Sequence, residues 1–227
     1  MHEQEIRPEI IARVMARRGR LHLFDSFDPA RTALVVIDMQ ATFCAPGGPA
    51  EVPLSRGLVG PINRLAQALR QARGQVIWVN HANASTPAGS DWDGFFDHFV
   101  ADDVRARTIQ SLAPGGEGQQ IWQGLDVAPE DLCLLKNRYS ALIPGSSALE
   151  RVLRSMGIDT LLIAGTKTNV CCESTARDAM MMDFKAVMVS DATAALSDDE
   201  HRAALETIIQ QFGDVYTVDE IIERLDT

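Results

Sequence analysis

Asp38, Lys136 and Cys171 are the side chains in this 227-residue sequence whose placement suggests chemistry. Asp38 closes the apolar run TALVVID (32–38), and Lys136 closes LCLLK (132–136). Cys171 follows a third run, TLLIAG (160–165), across the short turn TKTNV. A single charged group at a strand end is ordinarily just solvated. An acid, an amine and a thiol at three such ends is a combination that chance seldom produces. The turn after residue 165 leads into a helical pattern, which puts Cys171 at a helix start. There a sulfur meets unpaired backbone N–H groups and the positive end of the helix dipole. Both favour the thiolate and lower a cysteine pKa. The ordinary fate of a free cysteine is a small buried hydrophobe, and that role suits Cys44, Cys133 and Cys172.

The elements that would position these groups alternate along the chain. Residues 32–38 are continuously apolar, as in a strand buried on both faces. Residues 58–73 have a helical pattern that Gly74 ends, and QVIWVN (75–80) is a second strand. Residues 81–130 are irregular and punctuated by PGGEG (114–118), which predicts a long insertion with short helices. Strand 132–136 follows. Ser147 and Glu150 have the spacing of a capping box, with Gly157 closing that helix. Strand 160–165, helix 170–183 and strand 185–191 come next. Ser197 and Glu200 cap a helix ending near Gly213, 215–218 is a short last strand, and Thr217 and Glu220 cap a terminal helix. This alternation predicts a single three-layer Rossmann-like α/β domain, with a mainly parallel sheet of about six strands and helices on both faces. Residues 1–31 read as an N-terminal helical arm and 32–227 as the domain, with 81–130 as its lid or insertion. Sites in such sheets gather beyond the carboxyl ends of the strands, where Asp38, Lys136 and Cys171 stand, the first two expected on neighbouring ends.

Composition narrows the function. A formal net charge of −10 argues against nucleic acid as a partner, which needs a clustered positive face. Arg13, Arg17, Arg18 and Arg20 form a local basic patch, read as a solvated helix face or an intersubunit contact. No apolar run approaches the ~18 residues of a membrane span, and the charged first twenty residues do not resemble a secretory signal. A cytoplasmic location and no membrane partner are expected. The cysteines form no CxxC pair, which fits reduced thiols. No GxGxxG follows the first strand, so a nucleotide-binding module lacks its phosphate cradle.

Three segments bear a family resemblance. AGTKTNVCCESTARDAMM (164–181) resembles the nucleophile motif of the isochorismatase-like cysteine hydrolases. ALVVIDMQATFCAPGG (33–48) is similar to their first strand with its acidic residue, and LLKNRYSALIPGSSAL (134–149) to their lysine motif. The order and spacing agree. The resemblance implies Cys171 as nucleophile, Asp38 as general base and acid, and Lys136 as their charged partner. It also implies an oxyanion hole from the backbone N–H groups of Lys167 and Cys171, with a cis peptide between Thr166 and Lys167. Lys167 is bulkier than the alanine common there, and its side chain points into the pocket or onto the surface.

The activity so implied is cleavage of a C–N bond in a small amide, ureide or lactam through a thioester-type intermediate, without a cofactor. The resemblance extends to ureidoacrylate amidohydrolases, N-carbamoylsarcosine amidohydrolases and streptothricin-lactam hydrolases, which the motifs do not separate. Isochorismatases proper cleave a vinyl ether and lack the cysteine; that activity is one alternative, and a non-catalytic Rossmann-like binding protein is another. Nicotinamidases add a metal site with a DxH pattern; no such pattern is expected in this chain, and His81 and His98 in the insertion lack that context, so no metal is expected. Candidate pocket residues are Phe43, Trp78, His81, Asn83, Trp92 and Tyr139, with core packing as their alternative role. Lys136, Arg138 and Lys167 would suit a substrate carboxylate. Relatives imply a homo-oligomer, a dimer or tetramer, acting on a small molecule.

Overall fold

The computed structural model describes His2, residues 5–86 and residues 89–225. The chain runs α1 (Pro8–Arg18), β1 (Thr32–Ile37), α2 (Ala41–Cys44), α3 (Val59–Gln71) and β2 (Gln75–His81). The insertion contributes β3 (Ser85–Thr86), β4 (Gly89–Ser90), α4 (Asp93–Phe96) and α5 (Asp102–Leu112). Then come β5 (Leu132–Lys136), α6 (Leu149–Ser155), β6 (Thr160–Thr166), α7 (Glu173–Met181), β7 (Lys185–Ala194), α8 (Asp198–Thr207), β8 (Asp214–Tyr216) and α9 (Val218–Glu223). Six strands form one open sheet in the order β5-β2-β1-β6-β7-β8, and every neighbouring pair is parallel. This is the Rossmann-like α/β arrangement that the strand–helix alternation predicts.

The continuous apolar runs explain why both faces are covered. Successive side chains of a strand point to opposite faces. Ala33, Val35 and Ile37 of β1 therefore face one core cluster, with Ile77, Val79, Leu161 and Ile163 beside them. Leu34 and Val36 face the other, with Trp78, Leu162 and Ala164. The first cluster is closed by Ile10 and Val14 of α1, Leu149 and Leu153 of α6, and Ala176 and Ala179 of α7. The second is closed by Ile62, Leu65 and Leu69 of α3 and Ile221 of α9. Each fully buried aliphatic side chain stabilises the fold by about 1.5–3 kcal/mol.

The N-terminal helix is part of this packing. Beyond Ile10 and Val14, Arg7 forks onto the buried Glu206 carboxylate. The basic patch is bonded within the chain: Arg13 to the Gln210 side chain, Arg17 to Gln211, and Arg18 to the Ile209 carbonyl.

Two local expectations need correction. Ser147 and Glu150 form no capping box, because the helix begins one residue later, at Leu149, with Ala148 as its N-cap. The Ser147 hydroxyl instead donates to the Ala141 carbonyl and accepts from the Leu149 N–H, closing the loop after β5. The segment around Cys171 is not a plain helix start. Thr168–Cys172 is a π-helical turn that runs into α7. The box at Thr217 and Glu220 does form, with both reciprocal bonds.

Gly165 sets how closely β6 approaches β1 beside the candidate site. Its φ is +109°, and a Cβ there would lie 2.0 Å from the Ile37 carbonyl oxygen. Gly165→Ala therefore combines a disfavoured backbone conformation with overpacking of rigid backbone. Chemical denaturation is expected to show a loss of at least ~2 kcal/mol, and an unchanged midpoint would contradict the close approach.

Candidate active site

The carboxyl ends of β1, β5 and β6 converge on one buried centre. Asp38, directly after β1, has φ +53°, a left-handed conformation that turns its side chain out of the strand line. Aspartate tolerates this region better than most residues because its short side chain bonds locally. Lys136 is the last residue of β5, and β2 lies between β5 and β1. The two ends are therefore not neighbours, as the sequence suggests, and the lysine must reach across the end of β2. His81 is its register partner on that strand. The length of the lysine stem makes the crossing possible. Cys171 arrives from the far side, on the turn after β6. Its carbonyl accepts from Thr175 Oγ1 at 2.7 Å, and that oxygen accepts from the Ala141 N–H at 3.2 Å, tying the turn to the loop after Lys136.

The three side chains meet at the Lys136 ammonium. Nζ lies 2.8 Å from Asp38 Oδ2 and 3.5 Å from Cys171 Sγ. It also lies 3.0 Å from His81 Nδ1 and 3.1 Å from the Arg138 carbonyl. The Asp38 and Lys136 side chains are wholly shielded from solvent, and Cys171 is 6% exposed. Neither Asp38 oxygen makes a well-aligned hydrogen bond among the described residues, so charge holds it to Lys136.

Burial raises the Asp38 pKa, and the Lys136 charge only partly offsets this. Burial also opposes the Lys136 charge, but Asp38 and Cys171 outweigh it, and the lysine pKa is raised. The Cys171 thiol is pushed up to about 12 by burial and by Asp38, against the pull of Lys136. This corrects the expectation of a thiol lowered by a helix N-terminus: desolvation and a neighbouring anion exceed a dipole effect of about a kcal/mol. The resting centre is thus a thiol beside a carboxylate that is more basic than usual, bridged by an ammonium. It can pass a proton from sulfur to carboxylate.

A cavity of about 100 Å³ opens above the sulfur, lined by Phe43, Ala50, His81, Asn83, Trp92, Phe95, Phe96, Thr108, Leu112, Tyr139, Lys167, Val170 and Cys171. Five of the six candidate pocket residues border it. Trp78 does not. It alternates onto the other face of β2, where it is 1% exposed and its Nε1–H donates to Asp131 at 2.8 Å. Position along the strand, and not residue type, decides this. The reading of the sequence missed Phe95 and Phe96, although the aromatic cluster FFDHF (95–99) in a polar insertion was a usable signal. It also missed Gln40. That side chain accepts from the His81 N–H at 2.6 Å and donates to the His81 carbonyl at 2.9 Å, pairing with β2 as a backbone would.

Of the three candidate cations, Arg138 is engaged elsewhere: it donates to the Asn137 and Asp91 carbonyls and lies over the Trp92 ring at 5.1 Å. Half-buried Lys167 borders the cavity, and the Thr166–Lys167 peptide is cis. The expectation that the chain has no DxH pattern needs correction, because one occurs at Asp199, Glu200 and His201 on α8. There His201 is bonded to Thr168 and Asp199 is paired with Arg202. Among the described residues, no group of three or more His, Cys, Asp or Glu side chains could hold a metal ion. Nor is any described helix long and apolar enough to cross a membrane.

An open parallel sheet with an acid, an amine and a thiol gathered at its carboxyl edge defines a class of hydrolases, and the comparisons with known proteins agree. The model of the isochorismatase domain matches residues 32–220, and the chain belongs to the isochorismatase family, within the isochorismatase-like cysteine hydrolases. A cysteine hydrolase from Pseudomonas syringae pv. phaseolicola is 31% identical, with 90% of this chain and 96% of that one covered and a TM-score of 0.80. An isochorismatase family protein from Desulfovibrio vulgaris is 27% identical over 85% of this chain and 97% of that one, TM-score 0.73. N-carbamoylsarcosine amidase from Thermoplasma acidophilum is 26% identical over 84% of this chain and 98% of that one, TM-score 0.67.

The electrostatics predict opposite effects of two substitutions on thiol reactivity. Asp38 raises the Cys171 pKa and Lys136 lowers it. At a fixed pH below the thiol pKa, Asp38→Asn should therefore speed iodoacetamide alkylation of Cys171, and Lys136→Met should slow it. Peptide mass mapping separates this from reaction at the exposed Cys133. Shifts of the same sign in both variants would contradict the assignment of charges.

Proposed function

We propose that this protein cleaves a C–N bond in a small amide, ureide or lactam, with Cys171 as nucleophile and a covalent thioester-type intermediate. The observation that carries this reading is the buried Lys136 ammonium between the Asp38 carboxylate and the Cys171 sulfur, with the sulfur lining an aromatic cavity. The amidase likeness supports the bond type, since one similar structure is an N-carbamoylsarcosine amidase.

The steps follow from the charges. Asp38 takes the proton of the Cys171 thiol and becomes neutral, while Lys136 stabilises the sulfur as negative charge develops on it. The sulfur attacks the carbonyl carbon, and the carbonyl oxygen becomes an oxyanion held by the Lys167 and Cys171 N–H groups. Each such donor typically contributes ~3 kcal/mol in the transition state. Protonated Asp38 then delivers its proton to the leaving nitrogen as the C–N bond breaks, leaving the acyl group on sulfur. Water gives a proton to the same carboxylate and attacks the thioester, and breakage of the C–S bond restores the thiol as Asp38 returns the proton. A carboxylate of raised pKa suits both halves of this cycle, because a group that accepts and returns one proton works best near the operating pH.

The cavity sets what fits. At about 100 Å³ it admits a small acyl portion, and its walls are mainly aromatic and aliphatic.

Cys171→Ala is expected to lower kcat by at least ~10⁴ in a screen of amides, ureides and lactams, with folding retained. Cys172→Ala should have a mild effect, since Cys172 is a fully buried member of the core cluster. Intact-mass spectrometry of enzyme quenched during turnover should show an acyl or carbamoyl adduct on Cys171. Efficient turnover by the Cys171 variant would overturn the reading, as would isochorismate cleavage without an adduct. Activity is expected to survive exhaustive chelation; a stoichiometric metal that restored lost activity would contradict this.

A further inference from the structure

The Lys136 ammonium has three protons and four acceptors around it. Two of those acceptors, His81 Nδ1 at 3.0 Å and the Arg138 carbonyl at 3.1 Å, stand apart from the acid and the thiol. With both occupied, the third N–H is left for Cys171 Sγ at 3.5 Å, while Asp38 Oδ2 at 2.8 Å is held by charge without an aligned hydrogen bond. We propose that His81 is a positioning residue, which anchors Lys136 so that its remaining N–H stays on the Cys171 sulfur while its charge stays against the Asp38 carboxylate. The proposal rests on the reading of Asp38, Lys136 and Cys171 as the reacting centre.

The anchor works because the imidazole has a single available proton arrangement. A lysine ammonium only donates, so Nδ1 must be the bare nitrogen and Nε2 must carry the proton. That Nε2–H is donated to Asn83 Oδ1 at 2.7 Å. The Asn83 amide is oriented in turn by Asp91, whose Oδ1 accepts from Asn83 Nδ2 at 2.9 Å. The other Asp91 oxygen accepts from Asn137 Nδ2 at 3.1 Å, and Asn137 follows Lys136 in the chain. Lys136, His81, Asn83, Asp91 and Asn137 thus form a closed ring linking the insertion to the lysine. Burial, the Lys136 charge and nearby Arg138 all hold the imidazole neutral, and the contact with Asn83 is too weak to reverse this. The His81 backbone is clamped by Gln40 on both its N–H and its carbonyl. With both ring nitrogens used inside the protein, His81 has none left to offer a substrate, although its ring borders the cavity.

The test reads alkylation of Cys171 by iodoacetamide across pH, which needs no substrate. His81→Leu removes the acceptor and should slow alkylation by about tenfold at fixed pH, the equivalent of one unit in the thiol pKa. His81→Asn places its side-chain oxygen near the Nδ1 position and should recover most of that loss. His81→Gln carries its acceptor near Nε2 and should not, so the Asn/Gln comparison decides the matter if the leucine variant fails to fold. In a Lys136→Met background the Asn and Gln variants should alkylate alike. The inference is overturned if the His81 variants all follow the wild-type curve, if Asn and Gln fall equally, or if their difference persists without Lys136. Failure of the hydrolase reading is separate: it would appear as full turnover by Cys171→Ala, while the alkylation pattern stood unchanged.

Discussion

Lys136 carries its charge with none of its side chain in water. Removing an ammonium from water costs several kcal/mol even after relaxation, and a carboxylate costs as much again. The Asp38–Lys136 contact at 2.8 Å offsets part of this, and the remainder must come from other fixed dipoles. The Arg138 carbonyl and the neutral His81 ring supply them on the lysine side. Each feature of the site that holds its shape answers this constraint. The insertion contributes the Asn83 and Asp91 links, the loop after β5 contributes the carbonyl, and Gln40 fixes the end of β2 under the crossing lysine.

The same constraint explains the resting state of the sulfur. A cysteine in an exposed helix N-terminus is activated before substrate arrives. Here Cys171 is buried next to an anion, so its thiol is held above its usual range. In the proposed mechanism activation is coupled to the loss of the neighbouring charge: once Asp38 has taken the proton it no longer opposes the thiolate, and Lys136 is left facing a single anion. The burial that makes the thiol reluctant at rest also strengthens each electrostatic contact when the proton moves, because water does not screen it.

The packing supports this arrangement from below. β1 is shielded on both faces by two core clusters, and Gly165 lets β6 lie against Ile37, the residue before Asp38. The thiol-bearing turn and the carboxylate therefore grow from adjacent strands pressed together. The lysine comes from the edge strand, past β2, where the two-residue alternation sends Trp78 to one face and His81, the last residue of the strand, to the other.

Periodicity in the sequence by itself determined the strand set and the parallel open sheet, because strands buried on both faces leave continuous apolar runs that helices must cover. It also determined that Asp38, Lys136 and Cys171 lie at one edge, since carboxyl ends of parallel strands share a side of the sheet. The resemblance of three motifs added the family, which the match over residues 32–220 bears out. Strand order is a different matter. Nothing local in 75–80 or 132–136 records that β2 separates β5 from β1, because pairing is decided by packing between distant segments. For that reason only the tertiary structure brought His81 against the lysine and turned Trp78 away from the cavity. The raised thiol was likewise invisible in the sequence: a helix start and a cysteine are local features, whereas desolvation and the distance to Asp38 depend on every segment folded around the site.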